Sequence, residues 1–496
     1  MRLGFETVLV FGSAHQMALV SAFEVLESNG RTWLYAASSA TGTITSFQLR
    51  EDQGAARRGE TVINGLGQTF ATADMEIISH HGETHIVSAA NNGARLDLEA
   101  LGATGAMSAA GSLPLPSYVS DVSRIAAFDI GSRQFFASAA HDADGIVIWE
   151  ISPDWTVTQR SVQLDTPKST AEDVVDLLPV TVADKTFLIS ASVSEDGMTS
   201  YGVSKGGASW LIDTLGHKDG LWVSGVDSMV SVSVAAQSYV VTASTISDSL
   251  TSVRVNDMGV LFIEDHIIDT PLTRFASADA LAGFEVGQRG FVLAGGSDDG
   301  ISLLEVLPGG ELYHHHALAN QVGWTIENVT AIGTVQVGND QQIFVSGAGG
   351  EGLTQLTIDR STIGGQYLGT GGVDRLTGSA RDDLLMGYDG ADWLEGGAGD
   401  DVLIAGAGED RLTGGAGADT FVFTRDGDRN TITDFELGTD VVNIDDWGMI
   451  YDMSELFLRE RNYGLDIHWQ DQHLRIQTMD GQPLDPDDWT IYDILF

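Results

Sequence analysis

The chain is predicted to be all-β, a seven-bladed propeller followed by a parallel roll. Three observations lead there. A period of about 52 residues runs through positions 33–348, and a period of nine runs through 369–422. Glycine is abundant, 59 residues against 9 prolines. Both periods alternate β-branched and aromatic runs with Gly- and Asp-rich turns, the pattern of strands and hairpins.

The first period is set by seven segments of one grammar. Trp33-Leu34-Tyr35-Ala36-Ala37-Ser38 opens the series and Tyr239-Val240-Val241-Thr242-Ala243-Ser244 is its fifth member. The aligned small residues are Ala37, Ala89, Ala139, Ala191, Ala243, Gly295 and Gly347, at spacings of 52, 50, 52, 52, 52 and 52. The sixth unit shows four strand-like runs, 281–286, 291–294, 301–306 and 311–318. Turns at 287–290, Asp298-Asp299-Gly300 and Pro308-Gly309-Gly310 divide them. Asp-Gly and Gly-Gly between such runs signal hairpins. A repeated four-stranded antiparallel unit of this length reads as a propeller blade. The seventh unit lacks an outer strand, so residues 5–11 are expected to supply it and close the ring, which removes an exposed edge. An open array or two smaller sheets is the alternative. The expected domains are a propeller at 1–360, a roll at 361–425 and a C-terminal β-rich cap at 426–496.

Composition narrows the partners. The 496 residues include 25 basic and 70 acidic side chains, a net charge of −45. Nucleic acid and anionic membrane surfaces are disfavoured, because both need a basic face. Hard cations such as calcium prefer this much carboxylate oxygen. With no cysteine, disulfides, zinc–thiolate sites and thiol nucleophiles are excluded. No apolar stretch of about 18 residues predicts a transmembrane helix. The apolar run at 8–11 is too short for a secretory signal.

The second period has six copies: 369–377, 378–386, 387–395, 396–404, 405–413 and 414–422. Their sixth positions are Asp374, Asp383, Asp392, Asp401, Asp410 and Asp419. Two residues further on stand Leu376, Leu385, Leu394, Leu403, Leu412 and Phe421. Glycine permits the tight turn, aspartate supplies a hard anionic oxygen, and the apolar residue fills a thin core.

This Gly-Gly-x-Gly-x-Asp-x-apolar-x pattern resembles the calcium-binding RTX nonapeptide repeat, and residues 365–496 resemble the RTX family. The resemblance implies calcium ions between turns, held by backbone carbonyls and by aspartates two repeats apart. The pairs would be Asp374/Asp392, Asp383/Asp401, Asp392/Asp410 and Asp401/Asp419, roughly four ions. Gly372, Gly390, Gly399, Gly408 and Gly417 belong to the same implied sites. Arg381, Tyr388 and Ala405 depart from the glycine pattern, and Arg381 puts most in doubt the site built on Asp383.

The tail, with Asn430-Thr431-Ile432-Thr433-Asp434-Phe435 and the terminal Asp493-Ile494-Leu495-Phe496, resembles the cap and export signal of RTX proteins. That resemblance implies a type I (ABC-transporter) secretion apparatus as partner and an extracellular location without an amino-terminal signal. Residues 361–496 hold 28 acidic and 8 basic side chains, a net of −20. Such a stretch is expected to repel itself without calcium and to fold on millimolar calcium outside the cell.

For the propeller, candidates cluster at the face where each innermost strand begins. Asp74, Asp121, Asp173, Asp227, Asp279 and Asn328 precede the innermost strands, with Gln16 in the first unit. They form either an acidic ring for a cation or a set of local turn acceptors. Phe70, Tyr118, Trp222, Phe275 and Trp324 stand beside them, either to stack on sugar rings or to pack between blades. His15, His141, His217, Tyr118, Arg274 and Lys168 are candidates for proton transfer or charge stabilisation. His314-His315-His316 is expected on a solvated outer strand. There is no Gly-x-Ser-x-Gly, no His-Glu-x-x-His and no P-loop. Two readings of the propeller stay open. One is a module binding a ligand, a glycan or a cell surface. The other is an extracellular hydrolase, lactonase or polysaccharide lyase.

Overall fold

The computed structural model describes residues 3–9, 19–51, 53–62, 72–90, 95–116, 122–140, 144–349, 352–450, 452–490 and 493–495. The chain divides into two compact units, 2–358 and 359–496.

The first unit is seven four-stranded antiparallel sheets. Blade 1 runs outward through Val20–Ser28, Arg31–Ser38, Thr43–Arg50 and Gln53–Val62. Blades 2 to 6 repeat that order. Blade 7 takes Val329–Val337, Asp340–Gly347 and Leu353–Asp359, and its outermost strand is the N-terminal Gly4–Leu9. Gly4–Leu9 pairs antiparallel with Leu353–Asp359. The innermost strands of blades 7 and 1 are neighbours, so the ring closes.

The second strand of each blade is buried on both faces, which explains its uninterrupted apolar run and the small residues that carry the period. Outer hairpins pack on the preceding neighbour in chain order. Gly207 of blade 4 has φ of 81°, and a Cβ there would lie 2.7 Å from the ring of Phe135 in blade 3. Only glycine meets both demands. In blades 1 to 6 the pairing of the two outer strands contains a register shift that leaves an extra residue on the fourth strand, and blade 1 has a second shift, between Gln48 and Arg50.

The second unit is a parallel solenoid. One sheet stacks Ile363–Thr370, Asp382–Tyr388, Val402–Ile404, Thr420–Val422, Val441–Asn443 and Ile494–Leu495. The other stacks Arg375–Thr377, Trp393–Ala398, Arg411–Ala416 and Arg429–Phe435, then three strands of the C-terminal segment. Partners are 18 residues apart, as in Leu385 with Leu403 and Leu394 with Leu412. One coil is thus two nonapeptides. Leu385, Leu394, Leu403, Leu412 and Phe421 form the core, continued by Ile432, Val442 and Ile494.

Candidate metal centre

The repeat aspartates sit where the turns of the roll meet its strands, Asp383 as the second residue of Asp382–Tyr388. Asp383, Asp392, Asp401, Asp410 and Asp419 are buried. Each carboxylate is oriented by a backbone N–H one coil earlier. The Oδ1 atoms of Asp392, Asp401 and Asp410 accept from the amides of Asp374, Asp383 and Asp392 at 2.8 Å. Asp419 accepts from Asp401 at 2.9 Å. The pairs expected two repeats apart are therefore physically joined by their backbones.

The other carboxylate oxygen decides the chemistry. Oδ2 of Asp392, Asp401, Asp410 and Asp419 is buried without a hydrogen-bond partner. A buried anionic oxygen left alone is costly, and a hard cation removes that cost. These four residues therefore fit calcium. Asp374 and Asp383 differ. Asp374 Oδ2 accepts from the Thr370 amide at 2.6 Å and the Thr370 hydroxyl at 2.8 Å. Asp383 Oδ2 accepts from the Ser379 amide, and its Oδ1 from Gly365 at 2.6 Å.

Burial pushes the Asp401 carboxyl up to about 8, helped by the charges of Asp419 and Asp383. Burial likewise lifts Asp410 and Asp419 to about 7. Among the described residues no three acids or histidines form a metal-holding group. Carboxylates come in pairs, so calcium's six to eight oxygens need backbone carbonyls as well. The glycines allow that close stacking. A Cβ on Gly408, at φ of 130°, would lie 1.7 Å from the Gly390 carbonyl oxygen.

Two residues that sequence reasoning missed extend the ladder. Asn430 Oδ1 accepts from the Asp410 amide at 2.9 Å, and Asp440 Oδ1 from Asp419 at 3.1 Å. Asn430-Thr431-Ile432 and Asp440-Val441-Val442 repeat the acceptor-x-apolar signal, but offsets of 20 and 21 break the 18-residue spacing.

On the propeller, His15, Gln16, Phe70, Tyr118, Asp121 and His141 lie outside the described residues. The remaining acids do not share one position. Asp173 and Asn328 have φ of 45° and 47°, and Gly225 stands at the equivalent place with φ of 70°. Asp and Asn tolerate this left-handed backbone, which explains their recurrence. In blade 6 that place is held by Ser277, with φ of 47°. Asp227 and Asp279 both lie two residues further along, and Asp227 accepts from the Thr245 hydroxyl. Asp74 is three further, at the register shift, where blades 3 and 4 carry Arg124 and Asp176.

That deeper position holds an uncharted polar group. Asp74 accepts from the amides of Met75 and, in the next blade, Ile125, both at 2.9 Å. Asp176 does the same with Leu177 at 2.8 Å and Met229 at 2.6 Å. Innermost strands have unpaired amides, and these carboxylates satisfy them. Burial pushes Asp74 to about 6 and Glu24 to about 8, with Glu76 and Asp176 also raised. For Asp74 and Asp176 the Arg124 guanidinium opposes that rise.

The aromatic residues also part company. Phe275 is buried, Trp324 stacks on Phe5 at 4.6 Å, and Trp222 is 61% exposed against His217. Lys168 and Arg274 lie in matching turns. Asp165 accepts from Ser169 at 3.0 Å, and Asp269 from Thr273 at 2.7 Å. The position of Lys168 in one turn is Leu272 in the other. The solvated histidine strand is corrected. The extra residue of its register shift is His315, whose Nε2 lies 2.7 Å from Oε2 of the buried Glu305, which Arg289 also holds.

A family model of the RTX calcium-binding nonapeptide repeat (4 copies) matches residues 368–403, 386–421 and 395–429. No curated protein matches the chain. The crystal structure of a protein from Lactobacillus plantarum is similar at 15% identity, over 64% of this chain and 91% of that one, with a TM-score of 0.44. Residues 368–429 thus carry RTX calcium-binding nonapeptide repeats, following a seven-bladed β-propeller in one chain.

Proposed function

We propose that the roll is a calcium-dependent folding module, that the chain is exported by a type I system and folds outside the cell, and that the propeller is its ligand-binding part. The observation that carries the calcium reading is the row of orphaned oxygens on Asp392, Asp401, Asp410 and Asp419. Bound calcium would supply positive charge there, and binding energy would become folding energy. Roughly four ions match these four oxygens. The acidic 361–496 segment supports export in an unfolded state. For the propeller, Trp222, Ile246, Leu272 and Val322 are exposed on the loops and turns of the face where innermost strands begin, which supports binding of a glycan or a cell surface. The described candidates for catalysis, His217, Lys168 and Arg274, stand in three separate inter-blade loops.

Limited proteolysis of the full chain tests the folding reading. In chelator, cuts are expected throughout 361–496 while 2–358 persists; in millimolar calcium both resist. Equal resistance of 361–496 in both buffers would defeat it.

A further inference from the structure

Register places three side chains at one inter-blade slot on several blades. One opens the second strand, one is near the end of the third, and one is the extra residue of the fourth. In blade 3 they are Arg133, Glu150 and Arg160. Glu150 accepts from Arg133 at 2.7 Å and from Arg160 at 2.5 Å. In blade 6 they are Arg289, Glu305 and His315, with Arg289 donating at 2.7 and 2.8 Å. In both blades a glutamate is clasped between two nitrogen-bearing side chains.

Blade 1 keeps the cations and loses the acid. Its three positions are Arg31, Gln48 and Arg58. No ion pair links Arg31 or Arg58 to a carboxylate among the described residues. Arg50 joins them, two residues after Gln48 on the same face of the strand. Together with Trp33 and Thr104 of blade 2, these residues line a cleft of about 340 Å³. Trp33 is buried, and its Nε1 has no partner. Three arginines converging on one cleft stand out in a chain of net charge −45.

We infer that this slot binds the carboxylate of an external ligand, which takes the place that Glu150 and Glu305 fill from within. The fork of a guanidinium matches a carboxylate bidentately. The volume suits a group the size of a sugar acid. The source is either a free carboxylate or a uronate sugar, and the site is independent of calcium binding by the roll.

The test is titration calorimetry of the full chain in calcium at fixed ionic strength, with sodium acetate, sodium glucuronate and sodium sulfate. Saturable binding of glucuronate alone assigns a sugar acid; binding of acetate and glucuronate alike assigns any carboxylate. Arg58→Ala is expected to weaken binding at least tenfold. Gln48→Glu restores the blade 3 arrangement and is expected to abolish binding while raising the melting temperature. Absence of carboxylate binding, preference for sulfate, or undiminished binding in Gln48→Glu and Arg58→Ala would overturn the inference.

Discussion

Replacing Asp401 by asparagine separates the two jobs of its carboxylate. The amide oxygen still accepts the Asp383 N–H, which now lies at 2.8 Å from Oδ1. What is lost is the negative charge on the buried, unpartnered Oδ2. Removing one partner of a buried charge pair costs about 3–5 kcal/mol. Spread over roughly four ions bound in one cooperative step, that loss raises the calcium midpoint of folding about four- to eightfold. Without calcium the effect runs the other way. The Asp401 carboxyl is held at about 8, so at pH 7 the folded roll takes up a proton there that the unfolded chain does not hold, at a cost of up to about 4 kcal/mol. The new buried N–H gives back about 1–3 kcal/mol of that relief. The variant is thus expected to need more calcium to fold, while its roll, like the original, stays unfolded in chelator. Near-UV circular dichroism of the full chain, followed against calcium, reads both. An unchanged calcium midpoint, or a roll folded in chelator, would refute the reasoning.

Other outcomes follow from the propeller. Arg289→Met leaves Glu305 buried without its main partner and is expected to cost about 3–5 kcal/mol, read as a lower urea midpoint. Arg289 and His315 hold Glu305 at about 2, against burial, so the stability it contributes is present above about 4.5 and is lost as pH falls toward 2. The acids of the innermost strands act oppositely. Glu24, Asp74, Glu76 and Asp176 have folded values raised above their unfolded ones, so the folded state holds more protons between them. Raising pH from about 4.5 to 8 is then expected to destabilise the propeller by ~2 kcal/mol, solvent screening reducing the full shift. Glu24→Gln should flatten that pH slope in thermal melts. Deleting residues 1–9 removes the outer strand of blade 7, and hydrogen exchange is expected to quicken at Leu353–Asp359.

The periods made the architecture legible, because each reports a buried repeat unit. Ala37, Ala89 and their equivalents recur where a second strand is packed on both sides, and Leu385, Leu394 and Leu403 recur where a coil closes on its core. The outer strand of blade 7 was legible by elimination, since Leu353–Asp359 needed a neighbour. What stayed hidden depends on phase. The register shift on most innermost strands moves side chains by one residue, so Asp74, Asp173 and Asp227 look alike in sequence but occupy three different places. Glu24 and Glu76 interact across blades about 50 residues apart, as do Arg124 and its neighbours Asp74 and Asp176, and no local motif records that. His315 looked solvated by alternation, but it is the extra residue of a register shift and turns inward. Asn430 and Asp440 were lost to longer loops between ladder positions.

Calcium stoichiometry on the full chain, measured together with near-UV circular dichroism, tests the central claim most directly. The account predicts about four ions, taken up over the same concentration range in which the roll acquires its fixed aromatic signal, with Asp392, Asp401, Asp410 and Asp419 as the ligands. No bound calcium, or calcium bound with the roll already folded in chelator, would contradict it.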